Sequence, residues 1–160
     1  MGKNAPGRVA LMSIRPEFAD AILSGEKAVE FRKRPVADDV SHVLIYATLP
    51  VGALLGWFAV RGQSTMSPKG LWSQFRAVGG ISKTRFFEYY AQRELGTGIL
   101  VDSARRFREP IPLANLGPAL RPPQSFQYLT DAQADTFFKM VSITPHGSTH
   151  TGVHALAFTG

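Results

Sequence analysis

The run Gly25-x-Lys27-x-x-Glu30-x-Arg32 narrows the possible folds of this chain more than any other segment. It alternates apolar Ala28 or Val29 and Phe31 with charge, which predicts a strand whose charged heads face a surface rather than a core. Gly25 suits a tight turn entering that strand. Lys27, Arg32, Lys33 and Arg34 then put four cations within eight residues, and Glu30 is the only internal acid placed to orient them. Such a cluster offers a site for a phosphate or a base edge.

The chain around this motif has 160 residues, a length that predicts one domain able to bury most of its apolar surface. With 44% hydrophobic and 19% charged residues it fits a globular protein and not a disordered one. No apolar run reaches the ~18 residues of a membrane span. The opening Met-Gly-Lys-Asn-Ala-Pro-Gly has no signal-peptide core, so no membrane partner is expected and the expected location is cytoplasmic. Cysteine is absent, which excludes disulfides, zinc thiolates and thiol nucleophiles together. The formal charge is +6, so polyanions are the first partner class to weigh, against the plainer reading of a generically basic surface.

Punctuation divides the chain into short elements. Residues 8–14 read as a buried strand, ended by Arg15-Pro16, whose proline suits the first turn of a helix over 16–23. The motif strand is expected to run to Arg34, before Pro35. Strands follow at 42–48 and 53–61, the second with both faces covered. Residues 62–70 read as turn, 71–78 as helix, and Gly79-Gly80 as its break. Ser82 caps a helix expected to reach Leu95. Residues 99–107 read as a strand that turns basic, and 109–113 as too proline-rich for a central strand. An extended closing segment follows at 120–129, then a helix from Thr130 to near Val141. His146, His150 and His154 stand among Gly, Ser and Thr, a pattern that predicts a solvated tail rather than a metal site.

Four segments together resemble the ASCH domain, a branch of the PUA-like superfamily. They are Ser13-Ile14-Arg15-Pro16 with Phe18-Ala19, the Gly25 to Arg32 motif, Gly70-Leu71-Trp72 with Gly80-Ile81-Ser82, and Pro122-Pro123-Gln124-Ser125-Phe126. The resemblance implies an α+β fold: a small, mostly antiparallel β pseudo-barrel with peripheral helices and a cleft between the two. It implies an ASCH/PUA-like domain over 8–130, followed by a C-terminal helix over 131–144 and a flexible tail over 145–160. PUA-like domains commonly bind RNA and relatives read modified bases, so a nucleotide-handling site is implied, with no cofactor.

On that resemblance the ligand-binding candidates are Arg15, Lys27, Glu30, Arg32, Gln124 and Ser125. Lys27, which the family motif puts in the cleft, can pair with phosphate or, desolvated, act as a base; its plain alternative is a solvated strand lysine. Glu30 can accept from a base amino group or simply form a cross-strand ion pair. Arg32 offers a bidentate fork for phosphate or guanine. Lys33 and Arg34 read as outer electrostatics. Some ASCH relatives hydrolyse acetylated cytidine with a hydroxyl residue three positions after the motif lysine, where this chain has Glu30. Others are linked to RNA cleavage, for which Lys27, Glu30, His42 or Tyr46 would supply acid–base groups. The leading expectation is a module that binds RNA or a modified nucleotide, in a regulatory role. The alternative is a small hydrolase of RNA or of a modified nucleoside, and a protein-interaction module is the third class.

Overall fold

Strand β1 (Arg8–Ile14) alternates its side chains between two cores. Val9 and Leu11 enter one, while Ala10, Met12 and Ile14 enter the other. Its apolar, period-two sequence thus makes it the inner spine of a sheet covered on both faces. The structure is a computed structural model that describes residues 7–147, with side chains to 142. The remaining strands are β2 (Val29–Arg32), β3 (Val40–Ala47), β4 (Ala53–Met66), β5 (Gly96–Ile111) and β6 (Phe126–Tyr128). They hydrogen-bond in the order β2-β5-β4-β3-β1-β6. Only β1 and β3 run parallel among these pairs. Among the described residues the result is a mixed six-stranded half-barrel flanked by four helices, an α+β fold.

Helix α1 (Pro16–Ser24) starts on a proline and stops at Gly25, whose φ of 93° is open to glycine without strain. It buries Ala19, Ile22 and Leu23 against one sheet face. Helix α4 (Asp131–Gly147) covers the other, bringing Phe137 and Phe138 onto Leu11, Leu44 and Leu54. Helices α2 (Pro68–Phe75) and α3 (Lys83–Tyr89) close a third core over β2. There Phe86 is fully buried, meeting Phe31 edge-on at 4.9 Å and Tyr90 at 5.0 Å. Loss of such a ring costs roughly 3–5 kcal/mol. This aromatic core fixes α3 beside the charged motif.

Several boundaries differ from those expected from sequence. Residues 62–66 continue β4 instead of turning, because β5 pairs them one by one as far as Met66 opposite Gly96. Their turn composition is overruled by the ladder, with Thr65 and Thr97 hydroxyls bonded at 2.9 Å. Residues 109–111 belong to β5 despite Pro110, which lies in the stretch where the register with β4 shifts, a place where a missing N–H is tolerated. Helix α3 ends at Tyr89, six residues before Leu95, and Gln92 takes a left-handed φ of 68°. The motif strand ends at Arg32, and α4 continues past Val141 to Gly147. No helix among the described residues is long and apolar enough to cross a membrane.

Candidate functional site

Where β1 passes into α1, the motif and α3 converge on a cavity of about 580 Å³. That is the size range of small-ligand sites. Arg15 and Phe18 wall it from the β1–α1 junction, Lys27, Glu30, Phe31 and Arg32 from the motif, and Ile81, Arg85, Glu88 and Tyr89 from the region of α3. Four cations and two carboxylates line it, Arg15, Lys27, Arg32 and Arg85 against Glu30 and Glu88, so the cavity is net cationic at neutral pH.

Lys27 is 2% exposed. Its Nζ donates to the Gly79 carbonyl and lies 4.9 Å from the Phe31 ring centre and 5.1 Å from that of Phe18. Two ring faces and one carbonyl therefore replace the water that a surface ammonium would keep. The glycine pair makes this wrapping possible. Gly80 has φ of +59°, and a Cβ there would fall 2.9 Å from Lys27 Cβ. Burial pushes the Lys27 amine below its ordinary value of 10.5, while the negative charge of Glu30 pulls it partly back. A lysine so placed gives up its proton more readily than a solvated one.

Glu30 does not form an ion pair with Lys27. Its Oε2 accepts from Arg32 Nη1 at 3.0 Å, in a pair whose side chains are only 7% and 12% exposed. Arg32 also donates from Nη1 to the Ser13 carbonyl at 3.3 Å and from Nη2 to Ser125 Oγ at 2.7 Å. Tyr90 Oη donates to the Arg32 carbonyl at 2.7 Å. The guanidinium thus braces β1, β2 and the segment ahead of β6. The expected outward-facing strand of charges is corrected here: Lys27 and Glu30 are buried, because Phe18, Phe31 and the Gly79-Gly80 loop roof them.

At the rim, Arg85 is paired with Glu17 and lies 4.9 Å over the Phe18 ring. Arg15 is exposed, and no carboxylate among the described residues pairs with it. Tyr89 is 36% exposed beside it all, its hydroxyl pushed above the ordinary 10.0 mainly by burial. This offers an aromatic face at the mouth.

Of the residues singled out from sequence, Arg15, Lys27, Glu30, Arg32 and Gln124 stand around this cavity. Ser125 stands at a neighbouring hollow and reaches the site through Arg32. His42 and Tyr46 do not line it. Tyr46 packs in the core under α4, and His42 stacks against Trp57, Phe137 and Phe138. The contribution of α3 was missed: Arg85, Glu88 and Tyr89 share a helical face at i, i+3 and i+4, a spacing that marks a common face but not what it faces. His150 and His154 lie outside the described residues, as does the side chain of His146. No group of three or more potential metal ligands occurs among the described residues.

A half-barrel with flanking helices and a cleft between them is the PUA-like class of α+β fold. More narrowly, the chain belongs to the ASCH domain family, being 33% identical over 139 residues to an ASCH domain-containing ribonuclease of Zymomonas mobilis, across 84% of this chain and 91% of that protein. The crystal structure of ASCH from the same organism superposes with a TM-score of 0.76 at 30% identity, covering 82% of this chain and 94% of that one. A serine-to-alanine variant of it gives the same TM-score over 84% and 98%. No family model matches the sequence.

Proposed function

We propose that the protein binds single-stranded RNA and seats one nucleotide in the cavity around Lys27. The observation that carries this reading is the convergence of Lys27, Glu30 and Arg32 with two aromatic rings in one net-cationic cavity of about 580 Å³. Each wall has a part to play. Tyr89, part-exposed at the mouth, presents ring surface for a base to stack on. Glu30 spends Oε2 on Arg32, which leaves Oε1 to accept from an exocyclic amino group. Arg15 and Arg85 meet phosphate at the rim. The +6 charge draws the polyanion in.

A second reading adds cleavage, favoured by the ribonuclease name of the Zymomonas mobilis relative and by the lowered Lys27 pKa. In it neutral Lys27 accepts the proton that a ribose 2′-hydroxyl loses as its oxygen bonds to the adjacent phosphorus. The P–O5′ bond breaks, leaving a 2′,3′-cyclic phosphate and a 5′-oxygen that takes a proton from water, while the rim arginines stabilise the charge that builds on phosphate. Hydrolysis of acetylated cytidine is disfavoured, since Glu30 occupies the hydroxyl position of relatives with that activity.

Binding and cleavage of a labelled single-stranded RNA by wild type and by the Lys27→Arg and Lys27→Ala variants separate the readings. Binding that survives Lys27→Arg and weakens in Lys27→Ala, with RNA left whole by all three, is the outcome of the first. Cleavage lost in both variants while Lys27→Arg still binds is that of the second. Wild-type protein that neither binds nor cleaves overturns both.

A further inference from the structure

Beside the nucleotide cavity lies a second hollow of about 490 Å³, and the two share Arg32, Tyr89 and Gln124 as a common wall. We propose that this second hollow seats the phosphodiester of the nucleotide next to the one in the first, so that the site takes an oligonucleotide rather than a free nucleoside. The proposal rests on the RNA reading above.

The two cavities differ in charge. Glu30 and Glu88 line the first and disfavour an anion close to them, whereas the second adds Lys33, Arg34 and Arg93 to Arg32 and has no carboxylate in its wall. An uncharged base is better placed in the first and a phosphate in the second. The second wall is also built rather than merely charged. Arg93 Nη2 donates to the Lys33 carbonyl at 2.7 Å, and Lys33 Nζ lies 4.9 Å over the Tyr89 ring. These contacts tie the Arg93 guanidinium to the Lys33 backbone and set the Lys33 ammonium over the Tyr89 ring.

An independent observation points the same way. Two buried side-chain nitrogens find no hydrogen-bond acceptor among the described residues, Arg32 Nε and Arg93 Nε, and both belong to arginines of this wall. A buried donor without an acceptor is costly, and a bound anion is one of the ways such a donor is satisfied. A phosphate in this hollow supplies acceptor oxygens to the arginines of its wall. Tyr89, standing between the hollows, then separates the base from the backbone that leaves it.

The test compares Lys33→Gln/Arg34→Gln with Lys69→Gln/Arg108→Gln, a control that removes two exposed charges outside both hollows. Affinities are measured for uridine, uridine 5′-monophosphate and pentauridylate, and inorganic phosphate is titrated into ¹⁵N-labelled wild type. The expected result is a roughly tenfold loss for pentauridylate in the first double variant only, with the salt slope falling by about two and uridine affinity unchanged. Phosphate should shift the amides of residues 33, 34 and 93. Equal losses in both double variants overturn the proposal, as does a loss for the monophosphate as large as that for the pentamer, which would assign the hollow to a terminal phosphate. If wild type binds no RNA, the RNA reading fails by itself, and the amide shifts alone decide the phosphate site: present they uphold it, absent they overturn it.

Discussion

Arg32 and Ser125, 93 positions apart in sequence, are joined by a 2.7 Å hydrogen bond from Nη2 to Oγ. One belongs to β2 and the other immediately precedes β6, the two edge strands of the sheet. A single guanidinium therefore bridges the open side of the half-barrel, and the same group forms the wall between the two cavities. Arg32→Ala removes this brace and strands the buried Glu30 carboxylate, so it should cost about 3 kcal/mol of unfolding free energy. Arg34→Ala, at an exposed neighbour, should cost less than about 0.5 kcal/mol. Urea unfolding of the two variants checks the contrast, and equal losses would show that the brace contributes nothing beyond charge.

Gly80→Ala should lower stability by about 1–2 kcal/mol, because alanine is strained at a φ of +59° and its Cβ would fall 2.9 Å from Lys27 Cβ. RNA affinity should fall as well, since the lysine stem must move. Gly62→Ala has open space around its Cβ and serves as the comparison. The difference in thermal midpoint between the two variants is the measurement.

Lys27 should make the folded state more stable as pH rises toward 10.5. Its folded pKa lies below that value, chiefly through burial, so between the folded pKa and 10.5 the unfolded chain holds the extra proton. Stability then increases with pH across that window and is flat below it. Lys27→Met removes the effect. Tyr90, whose hydroxyl burial pushes up, acts alike in both proteins above its ordinary 10.0, so the wild-type minus variant difference isolates the lysine. A difference that does not change between pH 7 and 10.5 would mean that the amine is not desolvated in solution.

His42 should act in acid. Burial among Trp57, Phe137 and Phe138 holds its folded pKa below 6.5, so the neutral ring is favoured and its stability contribution is lost as pH falls from 6.5 through the folded value. Denaturation midpoints between pH 7 and 4.5 should fall more steeply for wild type than for His42→Phe. RNA binding at neutral pH should be unaffected, because this histidine lies outside both cavities.

The short apolar strands at β1 and β3, the proline start and glycine stop of α1, and the serine cap of α3 were legible because each is dictated by neighbours a few residues away. So was the concentration of charge from Lys27 to Arg34, and with it the group of residues now found around the first cavity. Local composition could not reveal that residues 62–66 pair as strand or that β5 runs on to Ile111 opposite Leu54, since the partner that overrides their turn chemistry is distant in sequence. Nor could it reveal that Lys27 and Glu30 are buried. An alternating pattern specifies which side of a strand a charge takes, while solvent exposure on that side depends on what other segments cover it. Here the covering pieces are Phe18 of α1, the Gly79-Gly80 loop and the face of α3. Burial, the lowered lysine pKa and the division into two cavities are products of long-range packing, which alone sets how much water each charge keeps.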